Sequence, residues 1–142
     1  MCGSQRVHEN NWKIVFTDYV KMNLKQCAAA MDVRYRTNTL EKLASSGKKR
    51  RKNLGSVGAA RFESRISEFK AAGCLEDLRH LPQARIHELK GDRKNQFSAD
   101  LAHPYRLIFT AENNPEPRKD DGGWDWTRIT ILEIQEIADT HE

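Results

Sequence analysis

The sequence lacks the features that mark secreted, membrane and cofactor-dependent proteins. The uninterrupted apolar stretch near its start is only residues 14–16, too short for the apolar part of a secretory signal or for a membrane span. Its cysteines, Cys2, Cys27 and Cys74, are widely spaced and form no CxxC or Cys/His ligand pattern, so free thiols in a reducing cytoplasm are expected. No phosphate-binding glycine loop, dinucleotide fingerprint or Ser-His-Asp order is present, so no cofactor and no metal are expected.

The composition is that of one globular domain with an uneven charge distribution. The chain has 142 residues, of which 38% are hydrophobic and 31% are charged. Residues 46–106 carry 14 basic and 7 acidic groups, whereas residues 107–142 carry 3 basic and 9 acidic groups. A basic middle suggests a face that meets a polyanion. The basic run at residues 48–52 is interpreted either as a solvated linker or as a contact to such a polyanion.

The hydrophobic periodicity changes from helical to extended near Pro82. Phe62, Ile66 and Phe69 form one apolar stripe of a helix over residues 59–72, and an earlier helix is expected at residues 39–43. Alternating patterns predict strands at residues 33–36, 85–90, 96–101, 105–109 and 127–137, the last with a shift in apolar phase between residues 131 and 132. We therefore predict an α+β domain with a small antiparallel sheet backed by N-terminal helices on one face. The polar loop at residues 112–125 holds Trp124, which with Trp126 either stacks on a base or anchors the loop.

Three motifs occur in the order and spacing of a known family. The segment His87-Glu88-Leu89-Lys90-Gly91-Asp92-Arg93 is followed by Pro104-Tyr105-Arg106-Leu107-Ile108-Phe109, and the chain closes with Asp139-Thr140-His141. From residue 31 to residue 141 this pattern resembles the HigB-like toxins of the RelE/ParE superfamily. Residues 1–30 then form an extension of uncertain role before a toxin domain at residues 31–142.

The resemblance implies a cytoplasmic toxin of a type II toxin–antitoxin system that cuts mRNA on the ribosome without a metal. It implies a cognate antitoxin, a small helix-turn-helix protein, and no membrane or small-molecule cofactor. A metal-free cut needs a base for the 2′-hydroxyl, an acid for the leaving 5′-oxygen and positive charge on the phosphate. The catalytic candidates are His87, Lys90, Arg106, Asp139 and His141, and the RNA-binding candidates are Arg85, Arg93 and Lys94.

Two departures from the family pattern leave alternatives open. Thr140 stands where the family commonly has tyrosine, and Glu142 adds a negative charge after the terminal histidine. A ParE-like toxin that inhibits a topoisomerase is one alternative. A non-catalytic binding module of RelE fold is the other.

Overall fold

A computed structural model of the chain describes residues 30–139, which form a helical layer packed on one five-stranded sheet. The helices are α1 (Asn38–Ser45) and α2 (Gly47–Ala71), followed by a short 3₁₀ helix (Leu75–Leu78). The strands are β1 (Asp32–Tyr35), β2 (His87–Glu88), β3 (Gln96–Asp100), β4 (Tyr105–Ala111) and β5 (Ile131–Asp139). Their order across the sheet is β1-β5-β4-β3-β2. The prediction of an α+β domain is confirmed.

The helices begin where a hydroxyl side chain caps them. The Thr37 hydroxyl accepts a hydrogen bond from the Leu40 backbone N–H, and the Ser46 hydroxyl accepts one from that of Lys49. Within α2, Gly55 has a φ of 73° and breaks the regular helix into two parts. The part of α2 that carries the apolar stripe thus begins after Gly55, close to the predicted start at residue 59. The basic run at residues 48–52 lies in the first helical part rather than in a linker.

The predicted apolar stripe of α2 is the contact between helix and sheet. Phe62, Ile66 and Phe69 are all buried, and the Phe69 ring lies 5.1 Å from that of Phe109 on β4. Phe109 in turn stacks on Phe97 of β3 at 5.5 Å. These aromatic contacts place the core on one face of the sheet, and no described helix covers the other face.

The strand pairing differs from the expectation in three places. β1 pairs with β5 in parallel, because helices α1 and α2 intervene between β1 and the rest of the sheet and replace a hairpin. β2 is two residues long because Arg85 takes a φ of 45° before it and Gly91 opens a 3₁₀ turn soon after it. The irregularity in β5 leaves Gln135 unpaired, opposite the junction of Ile108 and Phe109, rather than between residues 131 and 132.

Two further expectations concern the cysteines and the chain ends. Cys74 is fully buried and disulfide-bonded, so the expectation of three free thiols is wrong for this residue. The predicted N-terminal extension, apart from Ala30, and the residues Thr140, His141 and Glu142 lie outside the described residues.

Candidate nucleic-acid interface on the open sheet face

The face of the sheet turned away from the helices brings together residues from four strands. In the strand register, His87 pairs with Ser98, Ser98 with Ile108, and Ile108 with Glu136, so these four share one row. Paired residues on neighbouring strands point to the same face of a sheet. Phe97, Leu107 and Phe109 occupy the alternate positions and point to the core, so the His87 row lies on the open face. The next row, two residues along, contains Asp100, Arg106 and Ala138.

His87 is exposed, and hydrogen bonds define the orientation of its ring. Its Nδ1 lies 3.0 Å from the Arg85 carbonyl oxygen, which can only accept, so Nδ1 carries the proton. In the neutral ring Nε2 is then the basic nitrogen. It lies 3.4 Å from the hydroxyl oxygen of Ser98, which is itself fully buried. His87 therefore offers a proton-accepting nitrogen at the open face.

Asp100 links two of the predicted arginines. Its Oδ2 lies 3.5 Å from the Arg85 Nε, and its Oδ1 lies 3.6 Å from the Arg106 Nε. Oδ1 is buried and accepts no hydrogen bond from the described residues. The two guanidinium groups thus flank a carboxylate that they do not fully saturate. Arg85 is 71% exposed and Arg106 is 34% exposed, so both can reach a ligand above the face.

The Arg93 side chain lies across the open face and does not project away from it. It follows β2 in a 3₁₀ turn, donates to the Gln96 side chain at 3.2 Å, and forms an ion pair with Glu136 on β5 at 2.7 Å. Because β3 and β4 lie between β2 and β5, its side chain passes over the row that contains Ile108. Ile108 in that row is only 3% exposed.

Lys90 and Lys94 lie in a different place from His87 and Arg106. Both line a cavity of about 270 Å³ together with Arg118 and Trp124 from the loop at residues 112–125. Glu88, which also lines it, follows His87 in β2 and therefore points to the opposite face of the sheet. The structure therefore does not bring the two lysines together with His87 and Arg106.

Asp139 ends β5 opposite Tyr105. Tyr105 alternates along β4 with Leu107 and Phe109, which face the core, so its partner Asp139 lies by register on the covered face. The preceding residue, Ala138, lies on the open face. His141, the other terminal candidate, lies outside the described residues. The described open face thus holds His87, Arg106, Arg85 and Arg93 of the predicted set.

The charges on this face are nearly balanced. Arg85 and Arg106 share Asp100, and Arg93 is paired with Glu136. Glu133 lies by register on the same face, so His87 and the three arginines are accompanied by three carboxylates. An incoming phosphate would have to compete with these ion pairs, which are partly exposed and correspondingly weak.

Arg65 supports the site and was missed by sequence reasoning. It is 1% exposed on α2, and its Nε donates to the Asp100 carbonyl at 2.8 Å while its Nη2 donates to the Gln83 carbonyl at 3.0 Å. Its Nη1 binds both carboxylate oxygens of Glu68 at 2.7 and 2.8 Å. The arginine thus connects the helical layer to the end of β3 and to the segment before β2. A possible signal is its spacing, because Arg65 falls between Phe62 and Phe69 next to the apolar stripe.

The two tryptophans anchor the loop at residues 112–125. Trp124 and Trp126 are 4% and 5% exposed, and each ring lies 5.8 Å from that of Phe97. The Trp126 indole N–H donates to Glu88 at 2.9 Å, and the Arg118 guanidinium stacks over Trp124 at 3.7 Å. Of the two interpretations of these aromatics, the structure supports anchoring, because neither buried ring presents a face to a base.

A hydrogen-bonded turn closes this loop. The Thr127 hydroxyl donates to Asp125 and lowers the pKa of its carboxyl group, although partial burial acts in the opposite direction. The Arg128 guanidinium, which donates at 2.9 Å, lowers the pKa further. The carboxylate form therefore stabilises the start of the segment that leads into β5.

Residues 30–139 contain neither a metal-binding cluster nor a membrane-spanning helix. No group of three or more His, Cys, Asp or Glu side chains in that range is arranged to hold a metal ion. No helix in the described part of the chain is long and apolar enough to cross a membrane.

Comparisons with known proteins give one structural likeness. No protein-family model matches the chain, and no curated protein matches it. A chain in the crystal structure of the toxin–antitoxin complex RelBE2 from Mycobacterium tuberculosis is similar, with 18% sequence identity and a TM-score of 0.36. The similarity covers 78% of this chain and 99% of that one. At this TM-score the likeness supports no conclusion about activity, and the α+β assignment rests on the sheet topology itself.

Proposed function

We propose that this protein is a HigB-like toxin of the RelE/ParE superfamily, a metal-independent endoribonuclease that cuts mRNA on the ribosome. The observation that carries the proposal is that His87, with a proton-accepting Nε2, and Arg106 lie on the same open face of the sheet. The resemblance of the segment around His87 and of the strand around Arg106 to the family motifs supports it from the sequence. We further propose a cytoplasmic location, and a cognate antitoxin of the helix-turn-helix class as partner.

In the proposed reaction the RNA itself supplies the nucleophile. The 2′-oxygen attacks the adjacent phosphorus, the bond from phosphorus to the 5′-oxygen breaks, and a 2′,3′-cyclic phosphate and a 5′-hydroxyl result. His87 Nε2 accepts the 2′-hydroxyl proton, and a second group returns a proton to the leaving oxygen. We assign that second role to His141, and an indirect, orienting role to Asp139, which lies by register on the covered face.

Arg106 is the proposed electrostatic partner of the phosphate. Arg106 lies two strands away from His87 and two residues further along the sheet. Standard sheet spacings then put the Cα atoms of the two residues roughly 12 Å apart. A guanidinium at the end of its long side chain can cover most of that gap and donate two parallel hydrogen bonds to phosphate oxygens. Arg85 is the proposed contact to the neighbouring phosphate. Lys90 and Lys94, on the other face, would hold RNA that passes around the edge at β2.

The test is cleavage of mRNA by purified protein on programmed ribosomes, mapped by primer extension. His87→Ala is expected to lower the cleavage rate by roughly two to four orders of magnitude, and Arg106→Ala by roughly a hundredfold or more. His80→Ala is the control, because His80 is exposed and lies outside the site. Arg85→Ala should mainly weaken the binding of RNA and reduce the dependence of that affinity on salt concentration. Full activity of both the His87→Ala and the His141→Ala proteins would remove the mechanism.

One observation favours a second candidate, a non-catalytic binding module of the same fold. The ion pairs of Asp100 and Glu136 neutralise the arginines that catalysis would use, as expected of a face that binds without reacting. Absence of cleavage by the parent protein, together with intact RNA or antitoxin binding, would favour this candidate. A ParE-like toxin would instead inhibit a topoisomerase in a supercoiling assay.

A further inference from the structure

The first part of α2 carries a cluster of positive charges, whereas the arginines of the open sheet face are paired with carboxylates. We call residues 47–54, which precede the break at Gly55, the basic segment. It contains five consecutive cations from Lys48 to Lys52. The break separates this segment from the part of α2 that carries Phe62 and packs on the sheet.

Arg50 attaches the basic segment to the rest of the protein. Its Nη1 donates to the carbonyl oxygens of Leu43, at 3.1 Å, and Ala44, at the end of α1. Its Nη2 lies 3.5 Å from a carboxylate oxygen of Glu63, and its side chain is 11% exposed. Because the last carbonyl groups of a helix lack partners within it, this arginine caps α1.

The other four cations of the segment face solvent. Successive residues of a helix are about 100° apart, so Lys48, Lys49, Arg51 and Lys52 spread over an arc of roughly 160° opposite Arg50. All four are exposed. The capping arginine and the four exposed cations thus divide the segment into an attached side and a uniformly positive side.

These four charges do not stabilise the described part of the fold through ion pairs. They form no ion pair with any described residue, and no acidic residue occupies the first turn of α2. Cations at the start of a helix oppose its dipole, and like charges three or four residues apart repel each other. The arrangement therefore costs stability in the isolated chain, and a bound polyanion would relieve that cost.

We propose that the basic segment binds the phosphate backbone of folded RNA, on a surface separate from the open sheet face. The choice of RNA as the polyanion rests on the proposed function, which brings the protein to the ribosome. Four solvent-facing cations outnumber the uncompensated cations of the sheet face, so this segment supplies most of the electrostatic attraction to RNA. The sheet face would then contribute orientation at the reacting phosphate and little affinity.

The experiment compares two variants of equal net charge. In the first, Lys48, Lys49, Arg51 and Lys52 are replaced by glutamine, while Arg50 is kept because it caps α1. In the control, four exposed cations elsewhere are replaced by glutamine, namely Arg36, Arg61, Lys70 and Lys119. Affinity for a labelled RNA hairpin is measured by fluorescence anisotropy over a range of salt concentrations.

The segment variant is expected to lose affinity by about tenfold or more, and its plot of log affinity against log salt should flatten by roughly three units. The control should keep most of the affinity and of the slope. The segment variant should also unfold in urea at the same or a higher concentration, because like-charge repulsion is removed. This measurement separates a loss of binding from a loss of folding.

Equal losses in both variants would overturn the proposal, since net charge alone would then explain binding. Unchanged affinity in the segment variant would overturn it as well. Tighter binding to polyglutamate or to anionic vesicles than to the hairpin, lost in the same variant, would replace RNA by an acidic protein or a membrane surface. A parent protein that binds the hairpin through the segment but cuts no mRNA would refute the proposed function and leave this inference standing.

Discussion

Arg65→Met tests whether the buried arginine holds the helical layer to the site. The substitution keeps a long side chain and removes the hydrogen bonds to the carbonyl groups of Asp100 and Gln83. A fully buried acceptor that loses its partner costs about 1–3 kcal/mol, so two such losses set an upper range of about 2–6 kcal/mol. The actual cost lies in the lower part of that range, because Asp100 is half-buried and Gln83 is exposed. Methionine recovers part of this cost, because a charge no longer has to be buried. We expect a net loss near 3 kcal/mol in the free energy of unfolding.

The assay is urea denaturation followed by tryptophan fluorescence, which reports on Trp124 and Trp126 in the core. Arg61→Met is the matched control, because Arg61 is exposed on the same helix, and its free energy of unfolding should change by less than about 0.5 kcal/mol. A second measurement, RNA cleavage by the folded fraction, should also fall, because the Asp100 backbone would lose its anchor. A change in stability as small as that of the control would refute the argument that Arg65 connects the two layers.

Three further predictions concern the core, the chain start and pH. Phe69→Ala should cost on the order of 3–5 kcal/mol by urea titration, because the ring is fully buried against Phe109, and a cost near zero would contradict the packing. A chain that begins at Met31 should still unfold cooperatively, since the described core starts at that buried residue. It also lacks Cys2 and Cys27, so Cys74→Ser in the full chain is the control for loss of the disulfide, and loss of cooperativity in the shortened chain alone would show that the earlier segment is needed. The pKa of Asp125 is lower in the folded protein than the value of about 3.9 in the unfolded chain. The Asp125 carboxylate therefore stabilises the fold at pH values above about 3.9, and this contribution is lost as the pH falls through the folded pKa. Asp125→Asn should therefore flatten the dependence of stability on pH below about pH 4, and an unchanged slope in urea titrations at several pH values would contradict the assigned cause.

Much of the architecture could be predicted because it depends on local periodicity. The apolar spacing of Phe62, Ile66 and Phe69 predicts the buried side of α2, and the alternation around Phe109 predicts which side of β4 faces the core. Both predictions hold in the structure. The break at Gly55 and the short β2 were not predicted, because a backbone angle at a single residue leaves no periodic trace.

The candidate site was predicted less completely, for a different reason. Sequence motifs name residue types, but the side of the sheet on which each lies depends on strand register and on where a strand ends. His87 and Arg106 share the open face, whereas Lys90, three residues after His87, lines a cavity with the loop that carries Arg118. A shift of one residue along a strand moves a side chain to the opposite face of the sheet. The spacing of residues in a motif does not specify that face.

The sequence by itself determined the class of the fold, the apolar faces of its elements and the uneven distribution of charge along the chain. Only the tertiary structure decided which charges are available to a ligand. Arg93 becomes the partner of Glu136, some forty residues away in the chain, because β3 and β4 align the two across the sheet. The four exposed cations of the basic segment form no ion pair with a described residue, because they lie on the side of the helix opposite Arg50, which contacts Glu63. Ion pairing depends on distances of a few ångströms between residues far apart in sequence, and chain folding sets those distances.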